Sequence, residues 1–342
     1  MGIYKKKRSK ILIAALLLFL IALLSIGIGR FSLSFSDILD LIIARIRGVA
    51  DDTLPEYAIL FFMRFPRVIA VLIVGAGLSA SGAVYQAMFN NPMASSDVLG
   101  ASQAAGFGAA YAILMGYSSA GITSTAFFLA MAGVFASYFL STRFKSSRIL
   151  SLILAGILMG SLFQSGISYI KLIADSENML PQISFWLMGS FASIRDVDSI
   201  YLLLMNILPL IVIFLLRWRI NLFSLSSDEA KSIGVNINRM RLILIIATSI
   251  IIASTVSSVG IIGWIGLVVP HMARRIVGDD NRYVIPMSMI VGASFLLISD
   301  TIARSLSTLE LPISIVTSLV GVPIFIILLL SRRKAPYGGS YD

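Results

Sequence analysis

Ionisable side chains inside apolar stretches are the first candidates for chemistry in this sequence. Asp300 and Arg304 stand four residues apart at the end of the apolar stretch 285–303, a spacing that puts both on one face of a helix. Either an ion pair that closes a helix end or a functional pair fits this arrangement. Lys171 lies near the end of another apolar stretch, where a long side chain reaches the membrane interface. We interpret the single His271 as a packing or interfacial residue.

Most other catalytic chemistry is missing from the sequence. There is no Cys, so thiol nucleophiles and Cys-ligated metals are excluded. The sequence contains no phosphate-binding G-x-x-x-x-G-K-[ST] loop, no H-E-x-x-H zinc motif and no G-x-S-x-G nucleophile elbow. We therefore expect no catalytic residue, no metal site and no cofactor in this chain. Proton- or sodium-coupled carriers usually need acidic residues near the middle of the membrane. Their scarcity here favours a pore whose energy comes from elsewhere.

The composition is that of a membrane protein. Of 342 residues, 58% are hydrophobic and only 13% are charged, whereas soluble domains carry roughly a quarter charged residues. A net charge of +10 could indicate nucleic-acid binding in a soluble protein. In a membrane protein, the excess of Lys and Arg in cytoplasmic loops explains it.

The apolar stretches predict an all-α polytopic integral membrane protein with about ten transmembrane helices, since one span needs about 20 mostly apolar residues. The first run is too long for the apolar part of a signal peptide and lacks an A-x-A cleavage site, so we expect an uncleaved first span. Glycines and Pro270 make the eighth span short and predict a broken or tilted helix there. The predicted spans are 11–29, 66–89, 97–116, 122–140, 149–173, 199–216, 240–258, 261–273, 285–303 and 313–331.

The basic residues predict how the spans are oriented. With ten spans, 19 of the 27 Lys and Arg residues fall on one side: in the N-terminus, the C-terminus and the loops 141–148, 217–241 and 274–282. The positive-inside rule makes that side, with both termini, cytoplasmic. The other eight are Arg30, Arg45, Arg47, Arg64, Arg67, Lys171, Arg195 and Arg304.

The cytoplasmic loop 217–241 contains a short helix signal. Ser226 and Glu229 form a capping box, and Gly234 supplies a left-handed stop. A helix of this length cannot cross a bilayer. From these residues alone, an amphipathic surface helix and a lever gripped by another protein are equally good interpretations.

Several segments together resemble one family, the permease subunits of ABC importers for iron–siderophore complexes, haem and cobalamin (FecCD-type). The resemblance covers about residues 66–331, within a single transmembrane permease domain of residues 1–342. The segments are RFPR (64–67), GAGLSASG (75–82), YQ (85–86), NNPMA (90–94), DVLGAS (97–102), FWLMGS (185–190), DEAKSIGV (228–235), GIIGWIGLVVPH (260–271), DTIAR (300–304), ELP (310–312) and GVP (321–323).

The resemblance implies a prokaryotic inner-membrane importer that works by alternating access. It implies a second permease copy or a paralogue, two ABC ATPase subunits that hold the ATP and Mg, and an extracytoplasmic substrate-binding protein. The substrate would be an iron complex (siderophore or haem) or cobalamin. A molybdate-like oxoanion, an ion-gradient-driven secondary transporter and, least favoured, a membrane-embedded enzyme are the alternatives.

The resemblance also implies three groups of site residues. The loop helix becomes the coupling element that the ATPase grips, and three arginines present cations to acidic residues of the binding protein. The fifth span lines part of the translocation path. The coupling residues are Ser227, Asp228, Glu229, Ala230, Lys231, Ser232, Ile233 and Gly234. The docking residues are Arg64, Arg67 and Arg304. The path residues are Met159, Phe163, Gln164 and Ser168.

Overall fold

The computed structural model describes residues 2–29, 31, 33–49, 51–144, 147–225, 235–306 and 310–330. Every regular element among these residues is a helix and none is a strand, which confirms the all-α prediction. The α-helices are α1 (Gly2–Gly27), α2 (Phe35–Ile46), α3 (Pro55–Ala58), α4 (Phe65–Met88), α5 (Ala101–Leu114), α6 (Ser119–Ser141), α7 (Arg148–Ile173), α8 (Met179–Met188), α9 (Asp196–Leu216), α10 (Ile237–Val259), α11 (Ile265–Val277), α12 (Asn281–Ser305) and α13 (Ile313–Leu330). A π-helix (Ile59–Arg64) joins α3 to α4, and a 3₁₀-helix (Arg219–Ser224) follows α9.

Eight helices of the described residues are long and apolar enough to cross a membrane. They are Lys5–Gly27, Pro55–Met88, Ser119–Ser141, Ile149–Ile173, Asp196–Leu216, Ile237–Val259, Asn281–Ser305 and Ile313–Leu330. Each coincides with a predicted span. The other two predicted spans, 97–116 and 261–273, correspond to α5 and α11, which have 14 and 13 residues. At 1.5 Å per residue, helices this short reach only about 20 Å, less than the hydrocarbon thickness of a bilayer.

Close contacts between small residues fix α4 at the centre of the bundle. A side chain on Gly75 would come within 2.5 Å of the carbonyl oxygen of Gly292 in α12, and one on Gly82 within 1.9 Å of that of Gly266 in α11. Between these points, the Ser79 hydroxyl donates to the carbonyl of Ser288, 2.7 Å away. Such contacts matter in lipid, where no hydrophobic force drives one helix against another.

The predicted break near the eighth span lies before α11. Gly260 has φ +76°, residues 261–263 are not helical, and Trp264 at the helix start has φ +71°. A positive φ is unusual for a bulky residue. The Trp264 side chain lies beside Gly321 of α13, where an added Cβ would be 3.0 Å from it. Pro270 lies within α11 and does not interrupt it.

Two elements of the fold were not predicted from the sequence. The segment from Arg30 to Phe65, predicted as a long outer connection, contains α2 and the start of the helix that continues into α4. This helix begins at Pro55, about eleven residues before the predicted span at 66. The second element is α8, which lies between the fifth and sixth predicted spans.

Candidate functional site

A buried ion cluster lies at one end of the bundle. The guanidinium group of Arg67 donates to both carboxylate oxygens of Asp300 and to Glu310, with the closest N–O distances 2.9 Å to each residue. Arg304 lies 3.7 Å from Asp300, one helical turn away. The Asp300 side chain is 1% exposed, that of Arg67 12% and that of Glu310 30%. The predicted Asp300–Arg304 pair is therefore part of a larger network centred on Arg67.

Two of the arginines also close the end of α1. The last four carbonyls of an α-helix have no partner within the helix. Here Arg64 donates to the carbonyl oxygens of Ile26 (2.5 Å), Gly27 (3.1 Å) and Phe31, and Arg304 donates to the carbonyl and hydroxyl of Ser25. Positive charge at a helix C-terminus also interacts favourably with the helix dipole. Arg64 and Arg304 therefore tie α1, a peripheral helix, to the π-helix that precedes α4 and to α12.

The π-helix explains how Arg64 reaches this place. The Phe65 amide donates to the carbonyl of Leu60, five residues back, instead of four. Pro66 follows and lacks an amide hydrogen, so its position cannot hold a normal helical hydrogen bond. Single-turn π segments are frequent at functional sites because they turn side chains away from the regular helical positions. In this structure Arg64 is only 5% exposed and points towards α1.

A cavity of about 640 Å³ opens beside this cluster. Its lining combines the three arginines predicted for docking with Arg195 and Glu310, and with the apolar side chains of Phe31, Phe62, Met63 and Phe191. Four of the eight basic residues predicted to face outside therefore surround one cavity, which we call the outer cavity. The end of the bundle that carries it is the outer end. No motif or spacing in the sequence predicts that Arg195 joins this group.

A second, polar cavity of about 360 Å³ lies at the opposite, inner end. Arg274 donates to the side-chain oxygen of Gln86, whose amide donates to the carbonyl of Leu267 at 3.1 Å. Asn221 of the 3₁₀-helix donates to Asp280 at 2.8 Å. The lining includes Ser224. In the sequence, Ser224 shortly precedes the predicted coupling residues Ser227–Gly234, which lie outside the described residues.

The predicted path residues on α7 fall into two groups. Gln164 and Ser168 are exposed, whereas Met159 and Phe163 are half-buried. The ring of Phe163 packs against Phe107 of α5, with the ring centres 5.8 Å apart. The exposed pair remains available to a path, and Phe163 has a packing role within the chain.

Gln164 lines a third cavity, of about 640 Å³, between α5 and α7. Its polar lining residues are Gln164, Asp97, Gln103, Ser161 and Ser165, of which the last four were not predicted. Ser161 and Ser165 were predictable in principle, because Ser161 lies three residues before Gln164 and Ser165 three residues before Ser168, a spacing that puts side chains on one helical face. No Lys or Arg belongs to this lining.

We looked for a metal site and for a catalytic role of His271 among the described residues. No group of three His, Asp or Glu side chains there could hold a metal ion. The His271 side chain is buried, and its ring meets Phe325 edge-on at 6.1 Å between centres. This contact agrees with a packing role.

Comparison with known proteins identifies the family. Residues 16–331 match the FecCD transport family. The chain belongs to the FecCD transport family. It is 36% identical to the molybdate import system permease protein MolB of Haemophilus influenzae, over 93% of this chain and 94% of that protein. It is 35% identical to the Fe(3+)-citrate import system permease protein YfmE of Bacillus subtilis, over 95% and 96%.

A solved structure shows the same fold. An ABC transporter of metal-chelate type, in an inward-facing conformation, matches with a TM-score of 0.85 and 35% identity, over 94% of this chain and 98% of that one. The predicted resemblance to FecCD-type ABC permeases is thus confirmed. The FecCD protein described here is a multi-pass permease subunit of the cell membrane, and as an ABC permease it works with ATPase and binding-protein partners.

Proposed function

We propose that this FecCD protein pairs with a second permease subunit and imports an iron chelate by alternating access, driven by two ATPase subunits. The observation that carries the proposal is the outer cavity, where Arg64, Arg67, Arg195 and Arg304 converge within one recess. The four arginines outnumber Asp300 and Glu310, so the recess keeps a net positive charge that would attract an acidic side chain of a substrate-binding protein. Charges of this kind steer docking and fix its orientation.

Because Arg64 and Arg304 are buried, they are poor positions for a mutational test of docking. Reversing Arg64 or Arg304 would remove the contacts that close α1, so weaker docking could reflect misfolding. Arg195 lines the same cavity without belonging to the buried network, and Arg47 is an exposed arginine outside the cavity. Arg195→Gln should slow association of the binding protein at low salt, and Arg47→Gln should not. Equal rates for both variants would count against the outer cavity as the docking site.

Coupling to the ATPase is proposed for Ser227–Gly234. The support is the capping box in the sequence, the family, and the nearness in sequence to Ser224, which lines the polar inner cavity. Replacing Gly234 by Pro should abolish stimulation of ATP hydrolysis by the binding protein while leaving the assembled complex intact. Unchanged stimulation of ATP hydrolysis and unchanged uptake would refute the coupling role of this segment.

The cavity between α5 and α7 is our candidate for part of the translocation path. Its lining mixes apolar side chains such as Ile153 and Ile157 with uncharged polar ones. Its one charged residue is Asp97, whose carboxylate accepts a hydrogen bond from the Ser102 amide at 2.8 Å. Such a surface offers an anionic chelate hydrogen bonds without a countercharge. We propose that it passes the substrate on without holding it, so that selectivity lies in the binding protein.

An oxoanion such as molybdate is the second candidate substrate, favoured by the similarity to the Haemophilus influenzae permease. Isothermal titration of the cognate binding protein with ferric citrate, a ferric siderophore and molybdate separates the two. Binding of molybdate alone would overturn the iron-chelate assignment and leave the ABC mechanism standing. The ATP and Mg belong, in this proposal, to the partner ATPase.

A further inference from the structure

The short helix α2 has an apolar stripe that is left exposed by the residues that the structure describes. Phe35, Leu39, Ile43 and Ile46 recur every three or four residues, so they share one face, and each is between 42% and 80% exposed. A second face, with the buried Ile38, packs on the protein. Water-exposed helices of soluble proteins do not normally carry such a stripe.

The remaining face of α2 is polar. Ser36, Asp37, Asp40 and Arg47 project there, and all four are exposed. Hydrogen bonds from the Ser34 side chain and backbone hold the pKa of Asp37 below its ordinary value, so this carboxyl group stays ionised and needs water. The helix thus has three sides: one against the protein, one apolar and uncovered, and one for water.

The position of α2 says what meets the apolar stripe. Ile38 lies beside Gly27, the last residue of α1, where an added Cβ would be 3.8 Å from it. Since α1 is a membrane span that ends at Gly27, α2 lies at the depth where hydrocarbon gives way to headgroups. The exposed face of α1 continues to the same level through Leu24 and Ile28. An exposed apolar stripe at this depth is within reach of the acyl chains that surround α1.

Aromatic contacts at the same level agree with this depth. The Arg45 guanidinium lies 4.2 Å from the ring centre of Phe61 and 5.7 Å from that of Tyr57. Tyrosine is enriched where membranes meet water. These contacts join α2 to the start of the helix that carries Arg64.

We propose that α2 is an interfacial anchor, with its Phe35–Leu39–Ile43–Ile46 stripe inserted among the lipids of the outer leaflet and its Asp37–Asp40 side in water. Amphipathic helices lie in this way with the apolar face about 5–10 Å below the headgroups. The anchor fixes the height of the segment that leads into the π-helix and the outer cavity. The stripe is then unavailable to the binding protein and to a second permease copy.

The absence of cysteine from the sequence makes the test direct. Single variants Leu39→Cys and Ile43→Cys place a bimane label on the stripe, and Asp40→Cys places it on the water side of the same helix as the matched control. The full-length permease is reconstituted in phosphatidylethanolamine–phosphatidylglycerol vesicles that contain 5-doxyl phosphatidylcholine. Quenching by the doxyl lipid and by aqueous iodide is then measured, with and without the purified binding protein.

For an anchor at this depth, doxyl lipid should quench the two stripe labels at least about threefold more strongly than the Asp40 label, and iodide should show the reverse order. Equal doxyl quenching at all three positions would overturn the proposal. So would shielding of the stripe from iodide that appears only with the binding protein. Energy transfer between labels on two copies, with no doxyl effect, would assign the stripe to a subunit contact and also overturn it.

Discussion

The ion cluster at the outer end allows a prediction with a built-in control. Asp300 and Glu310 both pair with Arg67 at 2.9 Å, but the Asp300 side chain is 1% exposed and that of Glu310 is 30% exposed. Asp300→Asn and Glu310→Gln each remove one negative charge with almost no change of shape. The first leaves Arg67 with only the partly exposed Glu310 and Arg304 without its carboxylate, whereas the second leaves the buried Arg67–Asp300 pair intact.

The expected costs differ because burial differs. Removing one partner of a buried ion pair typically costs about 3–5 kcal/mol, since the remaining charge stays buried and uncompensated. Removing a partner from a partly exposed pair costs about 1 kcal/mol or less. Unfolding in mixed micelles by sodium dodecyl sulfate, followed by tryptophan fluorescence, measures both free energies. Equal losses, or a larger loss for Glu310→Gln, would refute the conclusion that Asp300 is the main countercharge of the cluster.

Two further predictions use matched pairs of variants. Gly82→Ala should destabilise the fold by about 1–3 kcal/mol, because the new Cβ would lie 1.9 Å from a carbonyl oxygen and force α4 and α11 apart. Gly263→Ala should leave the stability unchanged, because no heavy atom lies within 4 Å of the new Cβ. Unfolding free energies of both variants check this. Gln164→Cys, in the cavity between α5 and α7, should react with a membrane-impermeant methanethiosulfonate in the assembled transporter. Leu162→Cys, outside that cavity, should not react. Equal labelling would remove Gln164 from the path.

The membrane class, the positions of eight spans and the family could be predicted from the sequence because each depends on local patterns. A run of apolar residues predicts a span wherever it packs, and the FecCD motifs are contiguous. The contacts between spans are not local in this sense: only the structure shows that Gly75 meets Gly292 and Gly82 meets Gly266.

The arrangement of the arginines could not be predicted in the same way. Counting charges placed Arg64, Arg67 and Arg304 outside but did not show that they are largely buried. Their partners lie far along the chain: Arg67 pairs with a residue 233 positions away, and Arg304 with Ser25, 279 positions away. Periodicity carries no information on such contacts.

The short helices were missed for a different reason. The stripe of α2 has a helical period, but only 12 residues carry it, and charged residues interrupt it. A search for spans of about 20 residues passes over it. The same holds for α8, which has 10 residues.

Reconstituted uptake tests the central claim most directly. The permease is placed in vesicles with its ATPase and binding protein, and uptake of labelled ferric chelate is followed with ATP, without ATP, and without the ATPase subunits. We predict uptake only when ATPase and ATP are both present, and no effect of collapsing the ion gradients. Uptake at full rate by the permease alone, abolished when an ionophore collapses the ion gradients, would contradict the account.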